Sequence, residues 1–106
     1  MITEVDENYR MRVRLLRKLY GMTQAEWATF TGIPYKKWNH YERGYPVSRE
    51  SQVILRVKLG ISIDWLCFND PSGMTIGMLA HLRALEQEER ALIAKKKYGK
   101  GADAHS

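Results

Sequence analysis

Cysteine is nearly absent. Cys67 is the only one in 106 residues, which excludes an internal disulfide and fits a reducing compartment. Long apolar runs are missing too: the uninterrupted stretches are a few residues long, against the roughly 18 or more that a membrane-spanning helix needs. The opening MITEVDENYR is acidic and polar where an export signal would be basic and then apolar. No membrane association is therefore expected, and the expected location is cytoplasmic. No pair among Cys67, His40, His81 and His105 has metal-ligand spacing. The chain also lacks a glycine-flanked nucleophile, a phosphate-cradling glycine loop and a positioned pair of carboxylates. The expectation is a protein that is not an enzyme and that uses no metal and no cofactor.

What remains has the size and composition of a single folded domain. An apolar fraction of 44% with 27% charged residues is ordinary for a globular chain, and 106 residues leave room for one core and an appendage. The formal net charge of +5 is unevenly spread. Residues 10–58 hold 11 basic residues and only Glu26, Glu42 and Glu50, a net +8, whereas the remainder carries −3. Acidity is scarce where basicity is dense, which favours a polyanionic partner.

Hydrophobic periodicity predicts helices throughout and no strand. Tyr9, Val13, Leu16 and Tyr20 form one face of a first helix over about Asp6–Tyr20, with Arg10, Arg12, Arg14, Arg17 and Lys18 on the rest and Gly21 as its cap. Thr23-Gln24-Ala25-Glu26 is a capping box that opens a second, two-turn helix, with Met22 and Trp27 placed to staple it. Thr31-Gly32-Ile33-Pro34 ends that helix in a tight turn. A third helix is predicted from Pro34 or Tyr35 to Glu42. Ser48 caps a fourth reaching Leu59, and its apolar residues cover more of the circumference than one core face needs. Ser62 caps a fifth over Ile63–Phe68. Asn69-Asp70-Pro71-Ser72-Gly73 is a dense run of turn formers. Beyond it a sixth helix is predicted from Met74 or Thr75 to Lys97, striped by Met78, Leu82, Leu85, Glu89 and Leu92. Three units follow: residues 1–70 as the main domain, 74–97 as a C-terminal helix suited to dimerisation, and 98–106 as a fraying tail.

The chemistry concentrates in residues 23–44, two short helices joined by a tight turn. On the third helix Trp38 and Tyr41 point inward together, leaving Tyr35, Lys36, Asn39, His40 and Arg43 on the opposite side with Lys37 beside them. A helix of this width fits the DNA major groove. There lysine donates to guanine O6 and N7, asparagine pairs bidentately with adenine, and tyrosine or histidine meets base edges or a thymine methyl. Thr23 and Gln24, at the amide-rich start of the second helix, suit a phosphate oxygen. Arg14, Lys37 and Arg43 are further phosphate candidates.

These features resemble the phage repressor and Cro-like helix-turn-helix regulators, the xenobiotic response element family. The resemblance runs from about Tyr9 to Leu66. It rests on Arg17, on Thr23-Gln24 with Trp27-Ala28, on Gly32-Ile33, on Tyr41-Glu42-Arg43-Gly44, and on Gly60-Ile61-Ser62-Ile63-Asp64-Trp65-Leu66. It implies a five-helix lambda-repressor-like bundle, all-α, to which this chain adds a C-terminal helix. It also implies that Gln24 grips phosphate, that Arg17 pairs with Glu42, and that Tyr35, Lys36 and His40 read bases, with Asn39 a further candidate. Family members usually bind palindromic double-stranded DNA operators as homodimers. Pro34 departs from the family pattern, which has serine or threonine there, so the third helix loses a side-chain cap.

Two functions fit. One is a sequence-specific DNA-binding regulator, a repressor acting by operator occupancy. The other is an antitoxin-type interaction module that binds a protein partner through residues 74–97 and uses its helix-turn-helix for autoregulation.

Overall fold

The computed structural model describes residues 8–105, with side chains through Lys96. It contains six helices, and no strand occurs among the described residues: α1 (Tyr9–Leu19), α2 (Gln24–Thr31), α3 (Tyr35–Glu42), α4 (Arg49–Leu59), α5 (Ile63–Phe68) and α6 (Ile76–His105). Among them no helix is long and apolar enough to cross a membrane.

Local chemistry explains where the helices begin. Thr23 accepts from the Glu26 amide while the Glu26 carboxylate accepts from the Thr23 amide, closing the capping box. Ser48 and Ser62 cap α4 and α5 by accepting from the amides of Ser51 and Trp65. Pro34 stands before α3 without a side-chain cap.

The core is built around three indoles. Trp27, Trp38 and Trp65 are each at most 2% exposed, and the rings of Trp27 and Trp38 lie 5.3 Å apart. An aromatic side chain buries roughly 150–250 Å², worth about 4–6 kcal/mol each in gross transfer energy. Val13, Leu15 and Leu16 of α1, with Leu55, Ile61 and Leu66, complete the centre.

Four expectations change. Arg12 is 2% exposed and its Nε donates to the Leu66 carbonyl at 2.8 Å, so this arginine is a core strut between α1 and α5 and not part of a solvated face. It sits three residues after Tyr9 and four before Leu16, which places it on the buried side of the helix. Tyr20, expected inward, is 38% exposed and rests against Trp27 and Phe30 at the surface. The start of α1 is Tyr9, and the predicted beginning at Asp6 lies outside the described residues.

The fourth concerns α6, which starts later and ends later than predicted. The helical backbone continues to His105 where a tail over 98–106 was expected to fray, and Ser106 lies outside the described residues. Glycine costs about 1 kcal/mol in a helix relative to alanine, so Gly99 and Gly101 weaken this stretch without forbidding it. Nor is α6 a separate unit. Leu79 and Leu82 are buried in the common core, with Met78 and Leu85 packed against it, and α6 lies along α1. Glu89, which interrupts the apolar stripe, accepts from Lys18 Nζ at 2.6 Å. The stripe is thus largely spent within the chain, and only Leu92 and Ile93 emerge from it exposed.

Candidate nucleic-acid interface

The turn between α2 and α3 sets the angle of the candidate reading helix. Gly32 adopts φ 85°, where an L side chain is strained. The Thr31 hydroxyl donates to the Trp27 carbonyl at 2.8 Å and accepts from the Ile33 amide at 3.1 Å, so both sides of the turn are tied. Ile33 then plugs into the core. Lys58 donates to the carbonyls of Phe30 and Thr31, satisfying the exposed end of α2 from α4.

Helix α3 divides along its length as its spacing predicts. Trp38 and Tyr41 are buried, while Tyr35, Lys36, Lys37, His40 and Arg43 are exposed and Asn39 is half-buried. The Tyr35 side chain is 50% exposed. His40 is supported by the ring of Tyr45, with centroids 5.3 Å apart. Lys37 makes a loose, solvated ion pair with Glu50 at 3.5 Å, an interaction worth little in water.

Behind this face sits a tightly knit polar node. Arg17 donates to both Glu42 oxygens at 2.7 and 3.0 Å, and its third bond goes to the Met22 carbonyl. The Trp38 indole N–H donates to Glu42 at 2.6 Å, and the Gln24 side chain reaches the same carboxylate. Burial pushes the Glu42 carboxyl up, but the bonds from Arg17, Gln24 and Trp38 and the charge of Arg17 outweigh it and hold the group below its ordinary range. The node fastens α1 and the start of α2 to α3, and so fixes where the exposed face points.

The predicted phosphate residues fall into two groups. Thr23 and Gln24 are already engaged in the capping box and the Glu42 node, although the threonine hydroxyl keeps a proton to donate and the glutamine amide a second hydrogen. The box takes the amides of Thr23 and Glu26, leaving those of Gln24 and Ala25 at the helix tip. Arg14 is half-buried beside α3, and Arg43 is exposed at its end.

Sequence reasoning missed two contributors. Arg10 lies over Gly44, its Cδ 3.4 Å from where a Cβ would stand. Tyr45, one residue later, backs His40 and accepts through its carbonyl from the Tyr9 hydroxyl. Both depend on how α1 crosses the end of α3, which no local pattern encodes.

The basic excess is partly consumed. Arg12, Arg17, Lys18, Arg56 and Lys58 bond to other parts of the chain. Arg10, Arg14, Lys36, Arg43 and Arg49 make no ion pair or side-chain hydrogen bond among the described residues. Uncommitted positive charge thus lies along α3 and the part of α1 beside it, with Arg49 on α4 and with Arg83, Lys95 and Lys96 on α6. No protein-family model matches the chain, and no curated protein or solved structure matches it either.

Proposed function

We propose that this chain is a sequence-specific double-stranded DNA-binding transcriptional regulator of the lambda-repressor-like, Cro-like type, acting in the cytoplasm as a repressor on a palindromic operator. One observation carries the reading. Helix α3 turns donors outward along one side, Tyr35, Lys36, His40 and Arg43, while its other side is locked by Trp38 and Tyr41. An exposed face of donors on a rigid short helix is what reading base edges in the major groove requires. In this reading Tyr35, Lys36, Asn39 and His40 contact bases, and Arg14, Thr23, Gln24, Lys37 and Arg43 contact phosphates. The Arg17–Glu42 pair holds the frame. No metal, cofactor or catalytic step enters.

A single α3 covers only a few base pairs, so the functional unit is a homodimer whose two copies of the helix meet half-sites about 34 Å apart. Selection of bound sequences from random duplex DNA tests the proposal. Enrichment of a palindrome with half-sites about 10 base pairs apart is the expected result. Failure of any duplex to bind at about 50 mM salt, where counterion release is strongly favourable, overturns it.

The antitoxin-type reading, with a protein partner on residues 74–97, draws on one feature. Leu92 and Ile93 are 58% and 47% exposed on the part of α6 that runs past the bundle. A stable one-to-one complex with a small toxin that is lost on changing both residues to glutamate would favour it.

A further inference from the structure

A groove of about 310 Å³ opens between α1 and the end of α3, lined by Asn8, Arg10, Met11, Arg14 and Glu42. Its charge follows from the partners of each lining residue. The Glu42 carboxylate is neutralised by Arg17, which donates to both of its oxygens, and also accepts from the Trp38 N–H. The two remaining guanidiniums therefore set the sign. Arg14 Nε is buried without a hydrogen-bond partner among the described residues, although a buried guanidinium N–H costs free energy until it finds an acceptor. The stem of Arg10 lies over Gly44, its Cδ and Cγ at 3.4 and 3.6 Å from where a Cβ would stand. Gly44 has φ 108° and directly follows Arg43. The groove thus continues the exposed face of α3 at the helix's C-terminal end.

Two arginines that line one small concave site, and that make no ion pair with a carboxylate among the described residues, match an anion with several acceptor oxygens. We propose that this groove is a phosphodiester clamp in which Arg10 and Arg14 together grip one backbone phosphate of the duplex, beside the end of α3. The clamp rests on the DNA-binding reading. It adds Arg10 to the contact set and assigns Arg14 a defined partner and place. Its role is to fix register: with the start of α2 on one phosphate and this groove on another, the duplex backbone is held at two points beside the C-terminal end of α3. Such contacts position without reading sequence.

The test is the salt dependence of binding, measured with the full chain on its selected duplex and on a scrambled one. Changing Arg10 and Arg14 together to Ala should lower the log–log salt slope by about 0.9 for each phosphate released, either single change should lower it by part of that, and each should weaken both duplexes by a similar factor, on the order of 10-fold at about 100 mM salt. Arg10→Lys and Arg14→Lys should retain most of the slope, since a lysine keeps the charge but not the fork. Arg10 is exposed, so its variant leaves the core untouched, and matched circular dichroism melts verify folding. Ethylating phosphates one at a time should reveal one whose modification weakens the wild type but not Arg10→Ala. Wild-type slopes and the same ethylation pattern in both alanine variants would overturn the clamp while leaving DNA binding intact. Absence of wild-type binding to every duplex would instead remove the underlying reading.

Discussion

Arg17 and Glu42, 25 positions apart in sequence, form a two-point pair at 2.7 and 3.0 Å that ties α1 to the end of α3. One of its oxygens also accepts from Trp38, and Arg17 donates in addition to the Met22 carbonyl just before α2. The side chains of the pair are only 18% and 6% exposed, and removing one partner strands the other. Arg17→Ala should therefore cost about 2 to 4 kcal/mol in urea denaturation. Replacing both residues with apolar side chains of similar size should cost less than the single change, because desolvation offsets much of the pair's attraction.

The same node predicts a pH dependence. The folded Glu42 carboxyl is held below its ordinary value of 4.5. A depressed carboxyl contributes stability that is fully present above that ordinary value and is lost as pH falls through the folded one. Wild-type stability should decline below about pH 4.5, and a Glu42→Gln variant, less stable at neutral pH, should decline less over the same range. Equal acid sensitivity in the two proteins would place the titrating group elsewhere.

Much of this arrangement is legible in the sequence, and the pattern of what is not has a physical explanation. The capping box at Thr23, the serine caps of α4 and α5, the turn at Gly32 and the inward pairing of Trp38 with Tyr41 are all set within a few residues, where propensity and spacing operate. Arg12 in the core, Arg10 over Gly44, and the packing of α6 along α1 arise between segments far apart in the chain. Arginine is charged in any local account, and only the crossing of α1 with α5 supplies the Leu66 carbonyl that makes its burial tolerable. The stripe of α6 was visible as periodicity, but periodicity does not say whether the partner surface is the same chain or a second one.

The two central indoles make opposite demands. Trp38 donates to a charged acceptor at 2.6 Å, whereas the Trp27 N–H is buried with no partner among the described residues. Trp38→Phe therefore loses a charge-assisted bond, and Trp27→Phe relieves an unsatisfied donor while leaving a similar small void. The first should be the more destabilising, by about 1 to 3 kcal/mol. Chemical denaturation of both variants at neutral pH measures the difference, and a reversed order would mean that the Trp27 N–H has an acceptor.

Reading and gripping should separate on mutation. Lys36→Ala and His40→Ala remove exposed groups from α3 and should relax base preference at particular positions, at about 1 to 3 kcal/mol each. Gln24→Ala should weaken every duplex alike, and it should also destabilise the fold slightly, because Gln24 contributes to the Glu42 node. Binding profiles against a library of single-base operator variants distinguish these outcomes. Uniform weakening by all three changes would mean that α3 does not face the bases.

In the proposed homodimer, the joining surface is best sought on α4 and α5. The α6 stripe, expected to supply it, is largely covered by the chain's own core, leaving Leu92 and Ile93 exposed. Two such side chains fall well short of the roughly 800 Å² per partner that stable interfaces bury. On α4, Val53 and Val57 are 52% and 77% exposed. They line an open groove of about 480 Å³ with Ile63, flanked by Arg49, Arg56 and Asp64. Apolar residues between charges of both signs can meet their own copy across a twofold axis, since the Asp64 of each copy then has an arginine to face. Val53→Glu with Val57→Glu should halve the mass found by sedimentation equilibrium, and operator affinity should fall with a reduced salt slope because only one half-site is held. A chain ending at Arg90 keeps Leu79, Leu82 and the Lys18–Glu89 contact, and it should remain dimeric. Should that shortened chain sediment as a monomer while the α4 variant stays dimeric, the contact belongs to the end of α6.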